Sequence, residues 1–586
     1  MRPTLLRAAP SSLALLVLLI IPFNFADQNF GGDAKSYFSH ATTILFNGDL
    51  SYENDIRVTP PHPYGASLWF AGVAYPFSRI DVAQRHPIVE NRAEMVGSWT
   101  FYGFIWASPA AFMLGFVLIH SAMRRLGLHP SRVLLWLLLV GGGVGGIWAH
   151  FSFLHSHAVE FLSISIVLSL SVLLARANPT VAQRAAFYLP IAIAFGLSVR
   201  PQNIGLILMP FVVHALSDVL SPQATRSGIS ARRLSALLGG SAVAGPALLL
   251  GNLRFYTQPY PTITGTYGAD LFSSAPTVLR RDMAEQSALV GETVAIIDRG
   301  FGIAFWYGER ILEVPNFLFT LATTAEFGLL WWTPALVIGP LSAAFVLLRG
   351  GPSVEMKWGR RSIVLAAVIA VYSVPLAVVF RWQSFGSGWG FRYLLSTLPI
   401  SIVFVFALLD RIGPRKRSAL RAFLVATALF SVLSQVFFYT TAEFRHVPDA
   451  LKLNSFGRMT DKSFPGLARD VLRASASPEV WMAAFSGRST GFLGLQLVGE
   501  ERAVRMLEVA GLSNSFRYSV DEALAVVGAL PDRVRWAYNV TLLAFPLLHY
   551  WLMRPPRLAE RVRGRFRSFR AVRLQSSQGD GSTALP

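Results

Sequence analysis

The sequence predicts an all-α membrane protein that crosses the bilayer many times. Of its 586 residues, 53% are hydrophobic and only 15% are charged, whereas soluble proteins carry about 25% charged residues. This leaves too few polar side chains to cover a soluble protein of this length, so the composition excludes a soluble enzyme. The absence of cysteine excludes disulfides, Fe–S clusters, cysteine zinc sites and thiol nucleophiles.

Apolar stretches that are long enough, or nearly long enough, to span a bilayer recur along the chain. The first follows a basic start but lacks a small-residue cleavage site, so we interpret it as a helix and not as a signal peptide. Several stretches are shorter than the ~20 residues that a span needs, so we expect their ends to extend into the flanking sequence. The twelve predicted spans are 11–25, 101–122, 133–150, 159–175, 185–198, 204–220, 234–250, 325–348, 362–380, 393–409, 420–439 and 537–553.

The distribution of basic residues predicts the orientation. With the N terminus in the cytoplasm, the cytoplasmic segments carry most of the loop arginines, Arg176 and Arg411 among them, whereas the short outer loops hold Arg200, Arg381 and Arg392. We therefore expect both termini to be cytoplasmic. The same asymmetry accounts for the formal net charge of +19, because basic residues bind the anionic inner leaflet. The charge does not require a nucleic-acid partner.

Three long segments then fall on the outer side, at residues 27–100, 253–324 and 440–535. Enzymes that act on exported substrates often carry such a large outer surface, whereas simple channels seldom do. The expected domains are a transmembrane domain at 1–440, an outer soluble helical domain at 441–535, a last span at 536–554 and a basic cytoplasmic tail at 555–586.

The most informative motif lies in the first outer loop, FGGDAKSYFSHATTILFNGDLSYENDIRV at residues 30–58. Asp33 follows two glycines and is predicted to begin an amphipathic helix that Gly48 ends. Two roles for Asp33 remain open and are compatible, a helix N-cap and a general base at the membrane–water boundary. The apolar face of this helix carries Tyr37, Ala41, Ile44 and Leu45.

Two further motifs contain histidine at predicted loop–helix junctions. PPHPYG contains His62 and Tyr64 in a rigid turn, and FLHSHAVE contains His155, His157 and Glu160. Histidines two positions apart do not share a helix face, so a helical metal pair is not predicted. Ionisable groups at the membrane boundary are costly unless they are paired or functional, and both interpretations stay open for FLHSHAVE.

Arginine occurs on the outer side in two motifs, where the orientation rule disfavours it. Arg200 lies in SVRPQN between two spans, and Arg392 lies in glycine-rich FGSGWGFRY. Guanidinium groups bind phosphate oxygens with two parallel hydrogen bonds, so phosphate binding and ion pairing with outer acids are the two interpretations. The GxGxxG pattern at residues 141–146 lies within an apolar stretch, which favours close helix packing over dinucleotide binding.

Taken in order, these motifs resemble the GT-C superfamily of glycosyltransferases that use polyprenyl-phosphate sugars. The chain is similar to bacterial protein mannosyltransferases and aminoarabinose transferases over roughly residues 1–440. The matching segments are GGDAKSYFSHATTILFNGDLSYEND, the Pro/His/Tyr turn, LHSHAVEFL, GLSVRPQN, NLRFYTQPYPTITGTYG, GLLWWTP and FGSGWGFRYLLSTLP. Asp33 is followed by alanine, whereas the mannosyltransferases have an Asp-Glu pair, and this departure argues against protein O-mannosylation.

The resemblance implies a GT-C-like helical membrane fold whose cavity opens to the extracytoplasmic face beneath two loop helices. It implies a hexosyl- or pentosyltransferase that moves a sugar, with inversion, from a polyprenyl-phosphate donor to a lipid, glycan or protein hydroxyl. Asp33 is then the catalytic base, and together with a second acid it can bind a divalent cation such as Mg²⁺ or Mn²⁺. The other candidates are Glu53 and Asp55 as second acid, Arg392, Arg200 and Arg254 for the donor phosphate, and His62, Tyr64, His157 and Tyr267 in the substrate cavity.

Two alternative functions share an outer site and lipid-linked substrates. An O-antigen-type polymerase or ligase depends on arginines in a large late loop, and a transporter or flippase of lipid-linked or anionic solutes is expected to have an internal repeat and broken helices near mid-membrane. The sequence contains no such repeat, and its polar residues cluster at outer junctions. Nearly all basic residues are arginine and cysteine is absent, a composition that suits a bacterial inner (plasma) membrane.

Overall fold

The described part of the chain is helical throughout. The computed structural model describes residues 33–48, 63–92, 98–141, 154–220, 231–256, 329–349, 358–381 and 394–442, together with single helical positions at 315, 318, 469, 472 and 476. No strand occurs among these residues. The prediction of an all-α protein is thus confirmed for the described residues.

Thirteen α-helices occur in these ranges, and short 3-10 or π turns extend several of them. The π turn Thr43–Asn47 follows α1, and 3-10 turns lie at Pro87–Val89, Pro201–Leu208 and Leu395–Thr397. The helices are α1 Asp33–Thr42, α2 Gly65–Gln84, α3 Trp99–Arg125, α4 Arg132–Gly141, α5 Ser156–Arg176, α6 Pro179–Val199, α7 Met209–Leu220, α8 Ala231–Tyr256, α9 Leu329–Trp332, α10 Pro334–Arg349, α11 Trp358–Arg381, α12 Leu398–Arg411 and α13 Pro414–Ala442.

Four helical segments are long and apolar enough to cross a bilayer, and they indicate a membrane protein. They are Trp99–Arg125, Ser156–Arg176, Pro179–Val199 and Asn203–Leu220, and shorter apolar helices lie at Pro334–Leu348 and Ser362–Ser373. These helices do not establish the full twelve-span bundle. The predicted spans 11–25 and 537–553 lie outside the described residues, as does the second half of 133–150.

The observed helices extend beyond the predicted spans where a local signal favours helix. The stretch 185–198 becomes α6, which starts earlier because Asn178 accepts a hydrogen bond from the Val181 amide (3.0 Å) and Pro179 occupies the first turn. The stretch 204–220 begins with the 3-10 turn Pro201–Leu208 instead of an α-helix. Proline at the start of this turn lacks the amide that would continue the ladder of hydrogen bonds from α6.

Helix α5 lies at the centre of the bundle. It packs against α3, α6, α7 and α12, and 67% of its most apolar window is buried, against 33% for α6. Gly115 of α3 permits close approach to Phe161 of α5, which stacks on Phe112 at 5.8 Å between ring centroids. α6 therefore presents one face outward, and α5 is enclosed.

Large apolar side chains remain exposed on the outside of the helices. In water such side chains would form a costly surface, whereas lipid tails cover them without loss. Their positions on α7, α8, α10 and α11 fit the predicted contact with membrane lipids. They include Phe211, Leu238, Leu341, Ile363 and Ile369.

Residues predicted to lie on the same side of the membrane meet in the structure. Arg176 donates to the Ser217 carbonyl (2.6 Å) and Arg411 donates to the Val219 carbonyl (2.6 Å). Both arginines thus cover the C-terminal carbonyls of α7, where positive charge is favourable. Ser156 lies at the opposite end of α5. The orientation of these two ends across the membrane remains a prediction.

Two helices, α1 and α2, lie within the first predicted outer segment. α1 begins at Asp33, and Gly48 follows the π turn with φ +70°, its amide bonding the Thr43 carbonyl at 3.1 Å. Glycine adopts this left-handed conformation at low cost, so the predicted stop is confirmed. Tyr37 and Ala41, on the predicted apolar face of α1, are buried.

The predicted domains 441–535, 536–554 and 555–586 fall outside the described ranges apart from isolated positions.

The start of α3 depends on a buried acid. Asp81 of α2 accepts hydrogen bonds from the Trp99 amide (2.9 Å) and from the amide and hydroxyl of Thr100 (both 2.6 Å). Ser98 adds a conventional N-cap to the Phe101 amide at 3.0 Å. Asp81 thereby joins a loop helix to a predicted span.

We expect Asp81→Ala to lower the free energy of unfolding by about 1–3 kcal/mol, because it leaves buried donors without an acceptor. Thermal unfolding of the protein in detergent measures the loss. The matched control is Glu90→Ala, which removes an exposed acid from the same loop. Equal unfolding temperatures for the two variants would contradict this role of Asp81.

Candidate functional site

A buried cluster of ionisable side chains lies where α5 begins and α6 ends. Arg200 follows α6 in an extended conformation (φ −153°, ψ 117°), and its side chain reaches the first turns of α5. Its Nε atom lies 3.2 Å from Glu160 Oε2 and donates to Ser156 Oγ at 3.0 Å. Its Nη2 atom lies 3.1 Å from His157 Nε2. We call these four residues the Arg200 cluster.

Burial makes the contacts within the Arg200 cluster energetically important. Glu160 and His157 are fully buried and Arg200 is 6% exposed. A buried charge that loses its partner is strongly destabilising, whereas an intact buried pair contributes little net stability. The cluster is therefore a precise arrangement that tolerates little change, and not a general source of stability.

The histidines of FLHSHAVE occupy different structural settings. His155 is the N-cap residue of α5 with an extended backbone (φ −102°, ψ 143°), while His157 lies within the helix. Their rings are nearly parallel, with centroids 6.5 Å apart. This proximity was not expected for positions two apart in a helix, and it arises because only one of them is helical.

The residue two positions before Ser156 has an unusual backbone conformation. Leu154 is fully buried and has φ +54°. Bulky residues seldom occupy the left-handed region, and the conformation costs on the order of 1–3 kcal/mol. Such strain persists only where surrounding packing enforces it, and it concentrates at functional sites.

The loop helices lie against this end of the bundle. Gly65, the first residue of α2, contacts the backbone of Ser198 so closely that a β-carbon would overlap it. Tyr64 therefore lies next to the end of α6 and is buried. Burial raises the pKa of the Tyr64 hydroxyl, so this group stays neutral and able to donate a hydrogen bond at ordinary pH.

Helix α1 is held by both α2 and α3. Ser67 donates to the Tyr37 carbonyl at 3.0 Å, and the Tyr37 ring meets Phe70 edge-on at 6.1 Å. Phe38 makes a similar contact with Phe104 of α3 at 5.5 Å. The structure thus brings the helix that starts at Asp33 to the end of the bundle that carries the start of α3 and the Arg200 cluster.

The sequence candidates divide into three groups. His157 and Arg200 are in contact, and Tyr64 precedes the glycine that touches the end of α6. Asp33 and Arg254 have described backbones, in α1 and near the end of α8, but their side chains fall outside what the structure describes. The candidates that lie wholly outside the described residues are Glu53, Asp55, His62, Tyr267 and Arg392.

Sequence reasoning missed two contributors to this site. Ser156 was not predicted as an Arg200 ligand, and the Gly65–Ser198 contact was not predicted at all. The motif around Ser156 is notable in the sequence for its histidines, but nothing in the sequence indicates which loop contacts Ser156. No group of three or more His, Asp or Glu side chains suited to a metal ion occurs within the described ranges.

Comparison with known proteins does not extend this description. No family model, no curated protein and no solved structure matches the chain.

Because Glu160 and Arg200 share one buried environment, we expect their substitutions to be strongly non-additive. Arg200→Met alone should cost about 3–5 kcal/mol, since it leaves Glu160 uncompensated. Adding Glu160→Gln should restore part of that loss. Thermal unfolding of the two single variants and the double variant measures this coupling.

The matched control is Arg184→Met, which removes an exposed arginine from the same helix. It should leave the unfolding temperature nearly unchanged. If the losses from Arg200→Met and Glu160→Gln simply add, the two residues are not energetically paired and the description of the cluster is wrong.

Proposed function

We propose that the protein is a GT-C-type glycosyltransferase that uses a polyprenyl-phosphate sugar and acts at the extracytoplasmic face of the membrane. The observation that carries the proposal is the placement of α1. This amphipathic helix begins at Asp33 and packs through Tyr37 and Phe38 on α2 and α3. In the proposal, the Asp33 carboxylate acts at this end of the helices, where a lipid-borne donor would meet an aqueous acceptor.

The proposed reaction is a single inverting displacement. The Asp33 carboxylate takes the proton from an acceptor hydroxyl. The acceptor oxygen bonds to the anomeric carbon while the bond from that carbon to the phosphate oxygen breaks. The polyprenyl phosphate leaves with the electron pair, and an arginine that already faces the phosphate stabilises the developing charge.

Three arginines are candidates for that phosphate contact. Arg200 is held by Glu160 and Ser156, so binding a phosphate directly would have to compete with these contacts. Arg392 and Arg254 are therefore the preferred candidates. Among the cavity candidates, His157 belongs to the Arg200 cluster, and Tyr64 precedes Gly65, which contacts the end of α6.

A divalent cation remains a hypothesis, and no step of the reaction depends on it. The residues suited to hold one are Asp33 with Glu53 or Asp55, because Mg²⁺ and Mn²⁺ prefer carboxylate oxygens. The proposal names the substrates only by class. The sugar is a hexose or a pentose, and the acceptor is a lipid, a glycan or a protein.

A transporter of lipid-linked or anionic solutes is the second candidate, favoured by one observation. Buried ionisable residues within membrane helices often mark transport pathways, and Glu160 with His157 is such a pair. These residues occupy the first turns of α5, whereas transporter sites typically lie near mid-membrane. Their position at the helix end favours the transferase over a transporter. It does not separate the transferase from an O-antigen-type polymerase or ligase, which would also act at an outer site.

The decisive variants replace Asp33 in two ways. Asp33→Asn and Asp33→Ser should each lower donor turnover by about 10²- to 10⁴-fold, the usual contribution of a general base. Serine is as good an N-cap as aspartate, so Asp33→Ser separates catalysis from capping. Consumption of radiolabelled polyprenyl-phosphate hexoses and pentoses by membranes with an envelope extract as acceptor source measures turnover.

Two results would contradict this proposal. If Asp33→Ser turned over the donor at the wild-type rate, Asp33 would not be the general base and its role would be that of a helix cap. Failure of the wild type to consume any donor in the presence of acceptor would favour transport. Equal amounts of each variant in the membrane, measured by immunoblot, are the necessary control.

A further inference from the structure

We propose that the Arg200 cluster is a positioning device that fixes the end of α6 beneath α2 and thereby sets the position of α1. This inference rests on the proposed function for its catalytic meaning, because α1 begins with the proposed base. It assigns to Glu160 and Arg200 a role that differs from direct binding of the donor phosphate.

The first step is that the cluster pins the end of α6. Arg200 is held by Glu160 through its side chain, and its amide bonds the Gly196 carbonyl at 3.1 Å. Asn203 adds two bonds here, from its amide to the Arg200 carbonyl (3.0 Å) and from its side chain to the Gly196 carbonyl (3.2 Å). The last turn of α6 is therefore fixed against α5.

The second step is that this turn supports α2. Ser198 lies two residues before Arg200, and its backbone meets Gly65 without room for a β-carbon. Close backbone contact leaves little freedom, so a displacement of the α6 end displaces the start of α2. No other glycine of α2 is enclosed in this way, since Gly72 has open space around it.

The third step is that α2 and the segment after it hold α1 at both ends. Near its start, α1 is bound through the Ser67–Tyr37 hydrogen bond. In the π turn that follows α1, Asn47 Oδ1 accepts a hydrogen bond from buried Arg92 at 2.8 Å, and the Arg92 guanidinium lies 4.6 Å from the centre of the Phe46 ring. α1 is thus attached to α2 as one unit.

Catalysis by a general base depends on this attachment. A displacement of about 1 Å between reacting groups can lower a rate by on the order of 100-fold. A cluster that sets the position of α1 therefore acts on kcat. An arginine that binds the donor phosphate instead acts on the KM for the donor as well as on kcat, because it contacts the phosphate both before and during its departure.

The experiment compares Glu160→Gln, Arg200→Lys and Gly65→Ala in nanodiscs. We expect each to lower kcat by roughly 10- to 100-fold with an unchanged donor KM, because each disturbs the same support. Gly65→Ala disturbs the contact between α2 and the end of α6 without altering any charge. Gly72→Ala, on the same helix, should change neither constant.

A structural readout separates this proposal from the proposed function. The chain has no cysteine, so spin labels can be attached to Tyr75→Cys on α2 and Tyr188→Cys on α6, both 55% exposed. Electron–electron resonance should show a shifted or broadened distance distribution in the three variants. Val172→Ala, which destabilises the buried far end of α5, should leave the distribution unchanged.

The outcomes are distinct. Unchanged distances in Glu160→Gln and Gly65→Ala would overturn the positioning role. A raised donor KM in Arg200→Lys with unchanged distances would assign Arg200 to phosphate binding instead. If the wild type transfers no sugar, the proposed function fails, and the distances alone decide whether the cluster positions α2.

Discussion

The ion pair between Glu160 and Arg200 is the interaction on which one end of this helix bundle depends. Both groups are buried, and in a medium of low dielectric constant neither is tolerated without the other. The pair joins the start of α5 to the end of α6, and the close contact between Ser198 and Gly65 extends it to α2. One buried charge pair and one close backbone contact thus connect three helices.

Much of the helical architecture was predictable because the membrane imposes simple rules. Apolar stretches located α3, α5 and α6, and glycine after an amphipathic run located the end of α1 at Gly48. The sorting of Arg176 and Arg411 to one end was predictable from charge alone. These features depend on local composition, which a sequence displays directly.

Contacts between distant segments were not predictable in the same way. Nothing in the sequence indicates that Arg200 meets Ser156, or that Asp81 caps α3 from α2, because such pairs depend on how helices pack. The 3-10 turn Pro201–Leu208 replaced a predicted α-helical start for a local reason, the proline. The residue types of the candidate site, and their place at one end of the helices, are therefore predictable from the sequence. The contacts between these residues are not.

We propose that a sugar is transferred from a lipid phosphate at the site that contains Asp33. The most direct test uses purified protein in liposomes with a donor labelled in both the sugar and the polyprenyl chain. We expect free polyprenyl phosphate to form in equal amount to glycosylated acceptor, with the anomeric configuration inverted. Movement of intact donor between leaflets without cleavage would contradict it and identify a transporter.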